Sequence, residues 1–217
     1  MTAGEPFPLA GPAGALEAVL DRPAGPPRSR AVVSHPHPLY GGTMDNAVVV
    51  LATRALVAAG AETLRFNFRG VGRSAGVHDR GRGERDDLAA AADAVASREP
   101  RLPLLLAGYS FGAAMTLEHL ASRGAGHGVA GVLLIAPPFT HYDGDAWRFG
   151  TLPLAVIYGE RDSLTPPEAL RENAARWSAA AWCEALPGAA HDLGSLAAPR
   201  ALEAALARAV AALACGS

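Results

Sequence analysis

The chain has 217 residues, half of them hydrophobic, and a formal net charge of −2 at neutral pH, enough for one domain to bury a core without disulfides or metals. All 19 basic residues are arginine, which excludes chemistry built on lysine: a PLP Schiff base, a P-loop lysine or a Ser-Lys dyad. The near-balanced charge supplies no field to attract nucleic acid.

No apolar run approaches the roughly 20 residues that span a bilayer, and Met1 to Pro8 lacks the basic and apolar regions of a secretory leader, so the chain reads as cytoplasmic and not membrane-bound. Cys183 and Cys215 are too few and too far apart for a disulfide framework and read as free thiols.

Apolar, β-rich runs alternate with Ala/Leu-rich helical stretches, the pattern of an α/β domain with a mostly parallel sheet covered on both faces. Edge strands around Leu16 to Leu20 precede a buried strand from Arg30 to Ser34, and a helix from about Asp45 to Ala59 stops at Gly60. A strand from Thr63 to Phe68, a Gly/Arg-rich loop and a helix from about Glu84 to Ser97 follow. Leu102 to Ala107 is a strand that leads into a turn at Ser110 and a helix ending near Gly124. Strands at Val129 to Ala136 and Leu154 to Tyr158, a helix from Pro166 to Ser178, a strand at Ala181 to Leu186 and a helix from Ala197 to Ala214 complete the chain. There is no internal repeat or linker, so residues 1–217 read as one domain with its core at about 15–214. The connection from Ala136 to Leu154 is too short for a helical lid.

Gly108-Tyr109-Ser110-Phe111-Gly112 places a serine between two glycines where a strand turns into a helix. Such a turn holds the serine in a strained backbone with its hydroxyl projecting from the sheet, and the glycines let the chain double back. A serine hydroxyl needs a base, and the base needs an acid to orient it. In open α/β sheets these groups come from loops at the carboxyl ends of strands. Asp162 follows the strand Leu154 to Tyr158, and His191 follows the strand ending at Leu186. The chain order is Ser110, Asp162, His191. His119 lies within a helix, and His127 and His141 lie in loops that follow no final strand. Asp143 and Asp145 are alternative acids, placed after the strand ending at Ala136.

His35-Pro36-His37-Pro38-Leu39-Tyr40-Gly41-Gly42-Thr43-Met44-Asp45-Asn46 and Arg65-Phe66-Asn67-Phe68-Arg69-Gly70-Val71-Gly72-Arg73-Ser74 add to this order. With them the chain resembles the α/β-hydrolase superfamily from about Leu16 onward, and more narrowly its small, lidless bacterial hydrolases. The resemblance implies a serine-hydrolase triad on a single-domain α/β-hydrolase fold with no lid domain. It also shows a departure: Asp192-Leu193 follow the histidine where these relatives usually carry aromatic residues, which bears on the shape of the pocket.

An oxyanion hole needs two backbone N–H groups. Phe111 supplies one at a helix N-terminus, where the dipole also favours an anion. Pro36 and Pro38 have no N–H, so Leu39 is the expected second donor and Tyr40 the next. His35-x-His37 also has the form of a metal pair, but the prolines impose an extended loop and no clustered third ligand is apparent; bonds from the rings to nearby backbone are expected instead. Arg69-Gly70-Val71-Gly72 lacks the spacing of a phosphate loop and reads as a tight turn. Arg80 to Arg85 reads as a solvated loop, with Glu84, Asp86 and Asp87 at the dipole of the next helix.

These residues predict a serine hydrolase, carboxylesterase- or thioesterase-like, that cleaves an ester or thioester of a small molecule through an acyl-enzyme without a cofactor. The same triad serves amidases, peptidases and acyltransferases, and the fold also serves as a non-catalytic binding module. Tyr40, Tyr109 and Phe111, with Phe139, Tyr142 and Trp147, are the expected aromatic borders of an open site. Either a monomer or a homodimer fits.

Overall fold

The structure, a computed structural model, describes residues 4–123, 128–138, 147–193 and 199–215. Its centre is an eight-stranded sheet in the order β1-β4-β6-β5-β7-β8-β9-β10. β1 (Glu5–Pro6) and β4 (Ala18–Asp21) join antiparallel at one edge. From β6 (Ala61–Phe66) across β5 (Ser29–Ser34), β7 (Leu104–Tyr109), β8 (Val129–Ile135), β9 (Leu154–Gly159) and β10 (Ala181–Leu186), every pairing is parallel. β2 (Leu9–Gly11) and β3 (Gly14–Leu16) form a separate hairpin.

A parallel sheet buried on both faces needs strands apolar on both sides. β9, Leu-Ala-Val-Ile-Tyr-Gly, is buried at every position. Alternation along β5 divides the core into two layers. Val32 faces a layer that includes Leu88 of α2 (Arg82–Arg98), Leu117 of α3 (Phe111–Arg123) and Trp177 of α4 (Pro167–Trp177). Ala31 and Val33 face the layer of α1 (Ala47–Ala58) and α5 (Pro199–Cys215). None of the described helices is long and apolar enough to cross a membrane.

The chain runs from β5 through α1 to β6, then crosses back through α2 to β7 on the other side of β5. Between the carboxyl ends of β5 and β7 the connections therefore diverge, and this switch point is where an open α/β sheet forms a crevice. Gly70 (φ 73°) and Gly72 (φ 57°) make the tight turn expected after β6.

Glu84 and Asp87 lie at the start of α2 as expected, but buried, so the stretch Arg80 to Arg85 is not simply a solvated loop. Glu84 is fully buried and accepts from the N–H groups of Asp79 and Gly81 at 2.9 and 2.8 Å. Asp87 is also buried, with Arg69 donating from Nε and Nη2 at 2.9 and 2.7 Å and from its backbone N–H at 3.0 Å. These acids tie the loop after β6 to α2, a role that a solvated charge run does not have. Trp147 is 2 % exposed and packs edge-on against Trp177 in the core, so it does not border the site. Phe139, Tyr142, Asp143 and Asp145 lie outside the described residues.

Candidate active site

Ser110 sits between β7 and α3 with φ at 52°, a left-handed conformation that side chains with a Cβ rarely adopt. The flanking glycines have a steric cause. A Cβ on Gly108 would lie 2.5 Å from the backbone nitrogen of Ala113, and one on Gly112 would lie 2.7 Å from the carbonyl oxygen of His35. The hydroxyl of Ser110 emerges at the switch point.

The loops after β9 and β10 are stitched together. The N–H groups of Glu160 and Arg161 donate to the carbonyls of Leu186 and Ala189 at 3.0 and 2.8 Å, and the Gly188 N–H donates to the Glu160 carboxylate at 2.8 Å. Gly159 lets the strands approach this closely, since a Cβ there would lie 2.5 Å from the Ala190 carbonyl oxygen.

This stitching places Asp162 beside His191. The Asp162 carboxylate is fully buried; its Oδ1 accepts from the N–H groups of Leu164 and Thr165 at 2.9 and 3.0 Å, and its Oδ2 lies 2.8 Å from His191 Nδ1. The other ring nitrogen, Nε2, is 2.8 Å from Ser110 Oγ. With the carboxylate ionised, the proton belongs on Nδ1, and Nε2 is left to accept from the serine. Tyr109 donates its hydroxyl to the His191 carbonyl at 3.1 Å. Burial first, then Asp192 nearby, pushes that phenol up to about 12, so it stays a donor.

Two further histidines shape the loop after β5. His35 is wholly buried, with Nδ1 donating to the Pro36 carbonyl at 2.6 Å and Nε2 accepting from the Phe68 N–H at 3.0 Å. Burial lowers its pKa to about 4 and keeps it neutral. His37 Nδ1 accepts from the Leu39 N–H at 3.2 Å, and its ring packs on Phe111 at 4.8 Å. Both rings bond to nearby backbone, as the prolines suggested.

The turn Pro38–Tyr40 changes the accounting of donors. The Leu39 N–H goes to His37, the Tyr40 and Gly42 N–H groups go to the His37 carbonyl at 3.1 Å each, and the Gly41 N–H goes to the Pro38 carbonyl at 3.3 Å. Both donors favoured from the sequence are thus engaged within the turn. Between Pro36 and Gly42, the backbone N–H of His37 is the one that makes no hydrogen bond among the described residues. The Phe111 N–H, at the start of α3, is likewise without one. The sequence could not reveal that the His37 ring folds forward onto Leu39.

Ser110, His191, Tyr40, Tyr109 and Phe111 line one open cavity of about 670 Å³, together with Pro36, His37, Asn46, Pro138, Leu164 and Asp192. The side chains of Leu39 and Tyr40 project outward and are 69 % and 88 % exposed, whereas Tyr109 and Phe111 are buried in its floor. A separate, smaller groove of about 510 Å³ lies at the opposite end of the sheet, lined by Ala55 and Ala58 of α1 and Ala207 and Val210 of α5.

A family profile described as an alpha/beta hydrolase domain matches residues 31–215. The chain belongs to the α/β-hydrolase family, as a small, lidless member with a single-domain fold. Among solved structures it is similar to an alpha-beta serine hydrolase homologue from Coxiella burnetii, with 33 % identity, 96 % of this chain and 98 % of that one covered, and a TM-score of 0.83. It is equally similar to XC6422 from Xanthomonas campestris, a serine hydrolase without a lid, with 33 % identity, 97 % and 95 % covered, and a TM-score of 0.82. Among curated proteins, Uncharacterized protein RP471 of Rickettsia prowazekii (strain Madrid E) is 35 % identical over 172 residues, 77 % of this chain and 71 % of that protein.

Proposed function

We propose that the protein is a serine hydrolase that cleaves a carboxylic ester or thioester through an acyl-enzyme. The observation that carries this reading is the unbroken run of contacts from Ser110 Oγ through His191 to the buried Asp162, each 2.8 Å, opening into a cavity. The likeness to the serine hydrolase homologue from Coxiella burnetii and to XC6422 from Xanthomonas campestris supports it.

In the first half-reaction His191 Nε2 takes the Ser110 proton as Oγ attacks the carbonyl carbon. The carbonyl π pair moves onto oxygen, and Asp162 stabilises the imidazolium. Collapse reforms the carbonyl and expels the alcohol or thiol, which leaves with the proton from His191. Water then repeats the sequence on the acyl-serine, so one ester and one water yield one acid and one alcohol. The developing oxyanion is held by the N–H groups of Phe111 and His37, the latter in place of Leu39, whose N–H is engaged. The N-terminus of α3 adds its dipole.

Turnover of p-nitrophenyl acetate by the wild type and by Ser110→Ala tests the reading. The wild type releases p-nitrophenol and the variant loses about a thousandfold or more of that rate; a variant with undiminished turnover contradicts it.

A further inference from the structure

The cavity wall over β5 carries hydrogen-bond donors that the acyl-transfer steps leave unused. Because His37 Nδ1 accepts from Leu39, the proton of the neutral ring sits on Nε2. That nitrogen has no hydrogen bond among the described residues and is not a buried atom. Burial and the neighbouring His78 hold the His37 pKa below its ordinary value, so the ring is neutral at neutral pH. Asn46 is in the same position: its Oδ1 caps α1 by accepting from the Val48 N–H at 2.9 Å, which turns two amide donors on Nδ2 outward, again open and unbonded. Beside them the Tyr40 ring, 88 % exposed, leans on His37 at a centroid distance of 4.9 Å.

The opposite wall is apolar, formed by Pro138 and Leu164 from the β8 and β9 ends. No arginine lines the cavity among the described residues, and Asp192 contributes a carboxylate. An anionic substrate arm would meet no counter-charge among these residues. An uncharged group rich in oxygen acceptors fits the β5 wall better. Hydroxyl and ether oxygens accept from His37 and Asn46, and the apolar face of a sugar-like ring covers the Tyr40 ring, a combination of few placed donors on an aromatic wall.

Building on the serine-hydrolase reading, we propose that this wall is a subsite for a neutral, hydroxylated alcohol, so that the substrate is an acylated polyol or sugar. Its acyl chain lies against Pro138 and Leu164, and its oxygen-rich alcohol rests on His37, Asn46 and Tyr40.

The test compares kcat/KM for a methyl glucoside acetylated on its primary hydroxyl with that for cyclohexylmethyl acetate, which has similar size and no ring oxygens, in the wild type, Asn46→Ser and Tyr40→Ala. Serine still caps α1 but has no amide donors. The wild type prefers the sugar ester by about tenfold or more, and each variant lowers that preference by about fivefold, the worth of a neutral hydrogen bond or a lost ring contact. No preference in the wild type, or an unchanged preference in either variant, overturns the subsite. If p-nitrophenyl acetate is hydrolysed and the sugar ester is not favoured, the subsite alone is wrong. If none of the three esters is hydrolysed, the serine-hydrolase reading fails and the subsite with it.

Discussion

The backbone N–H of Ser110 donates to the carbonyl oxygen of Ile135 at 2.8 Å, a bond from the end of β7 to the end of β8. It pins the serine in its left-handed conformation from outside the turn, while the Ser110 carbonyl accepts from the Ala114 N–H at 3.1 Å inside α3. The serine's own N–H is thus engaged, and that of Phe111 is the first one open to the cavity.

The two glycines of this turn are the parts least tolerant of change. A methyl group on Gly112 meets the backbone of Ser34 and His35, which cannot rotate away as a side chain can. Gly112→Ala is expected to lower stability by about 2 kcal/mol or more and to abolish turnover, read by urea unfolding and p-nitrophenyl acetate hydrolysis. Gly41→Ala is a contrasting control: it meets nothing within 4 Å and carries only the strain of φ 78°, so a cost about 1 kcal/mol is expected.

The Asp162 carboxylate lies 2.8 Å from His191 Nδ1, and in the proposed reaction it holds the imidazole by charge and by tautomer. In Asp162→Asn the side-chain oxygen can still accept from Leu164 and Thr165, so the fold is expected to persist, but the amide facing His191 then favours the wrong tautomer. A loss in kcat of about a thousandfold or more with little change in melting temperature is the expected result. Undiminished turnover would assign the acid role elsewhere.

Arg69 and Asp87 form a bidentate pair with the carboxylate wholly buried. Removing one partner strands the other charge, so Asp87→Ala is expected to cost about 3 kcal/mol or more in urea unfolding. A cost under about 1 kcal/mol would mean that the pair contributes little to holding the loop after β6.

Acid should weaken the fold before the carboxylates titrate. Burial lowers the pKa of both His35 and His119 from 6.5 to about 4. Between these values the unfolded chain binds protons that the folded chain does not, so stability falls as pH drops from 6.5 towards 4, with each ring adding up to about 1.4 kcal/mol per pH unit. Urea midpoints measured at intervals across this window should decline steadily, and less steeply in His119→Gln; a flat profile would contradict the burial of these rings.

Much of this was readable from local pattern. The bounds of β10 at Ala181–Leu186 and the order Ser110, Asp162, His191 follow from strand-end logic, because each residue sits where an apolar run stops. What escaped depends on distant partners. Asn67 and Phe68 read as the end of a strand, yet β6 stops at Phe66 and the Phe68 N–H turns to the His35 ring at 3.0 Å instead of a neighbouring strand. The place of Glu84 and Asp87 at the start of α2 was legible, but not the burial of Asp87, because the arginine that pairs with it comes from the loop after β6. Trp147 looks like a rim aromatic until Trp177 covers it. Leu39 looks like a free donor until the His37 ring is seen in front of it.

The central claim is that Ser110 is activated as a nucleophile by His191. Treatment of the native protein with a fluorophosphonate, followed by peptide mass spectrometry, tests it most directly. A single phosphonyl adduct on Ser110 is expected in the wild type, and none in Ser110→Ala or in wild type denatured beforehand. An adduct on another residue, or labelling that survives the Ser110→Ala substitution, would contradict it.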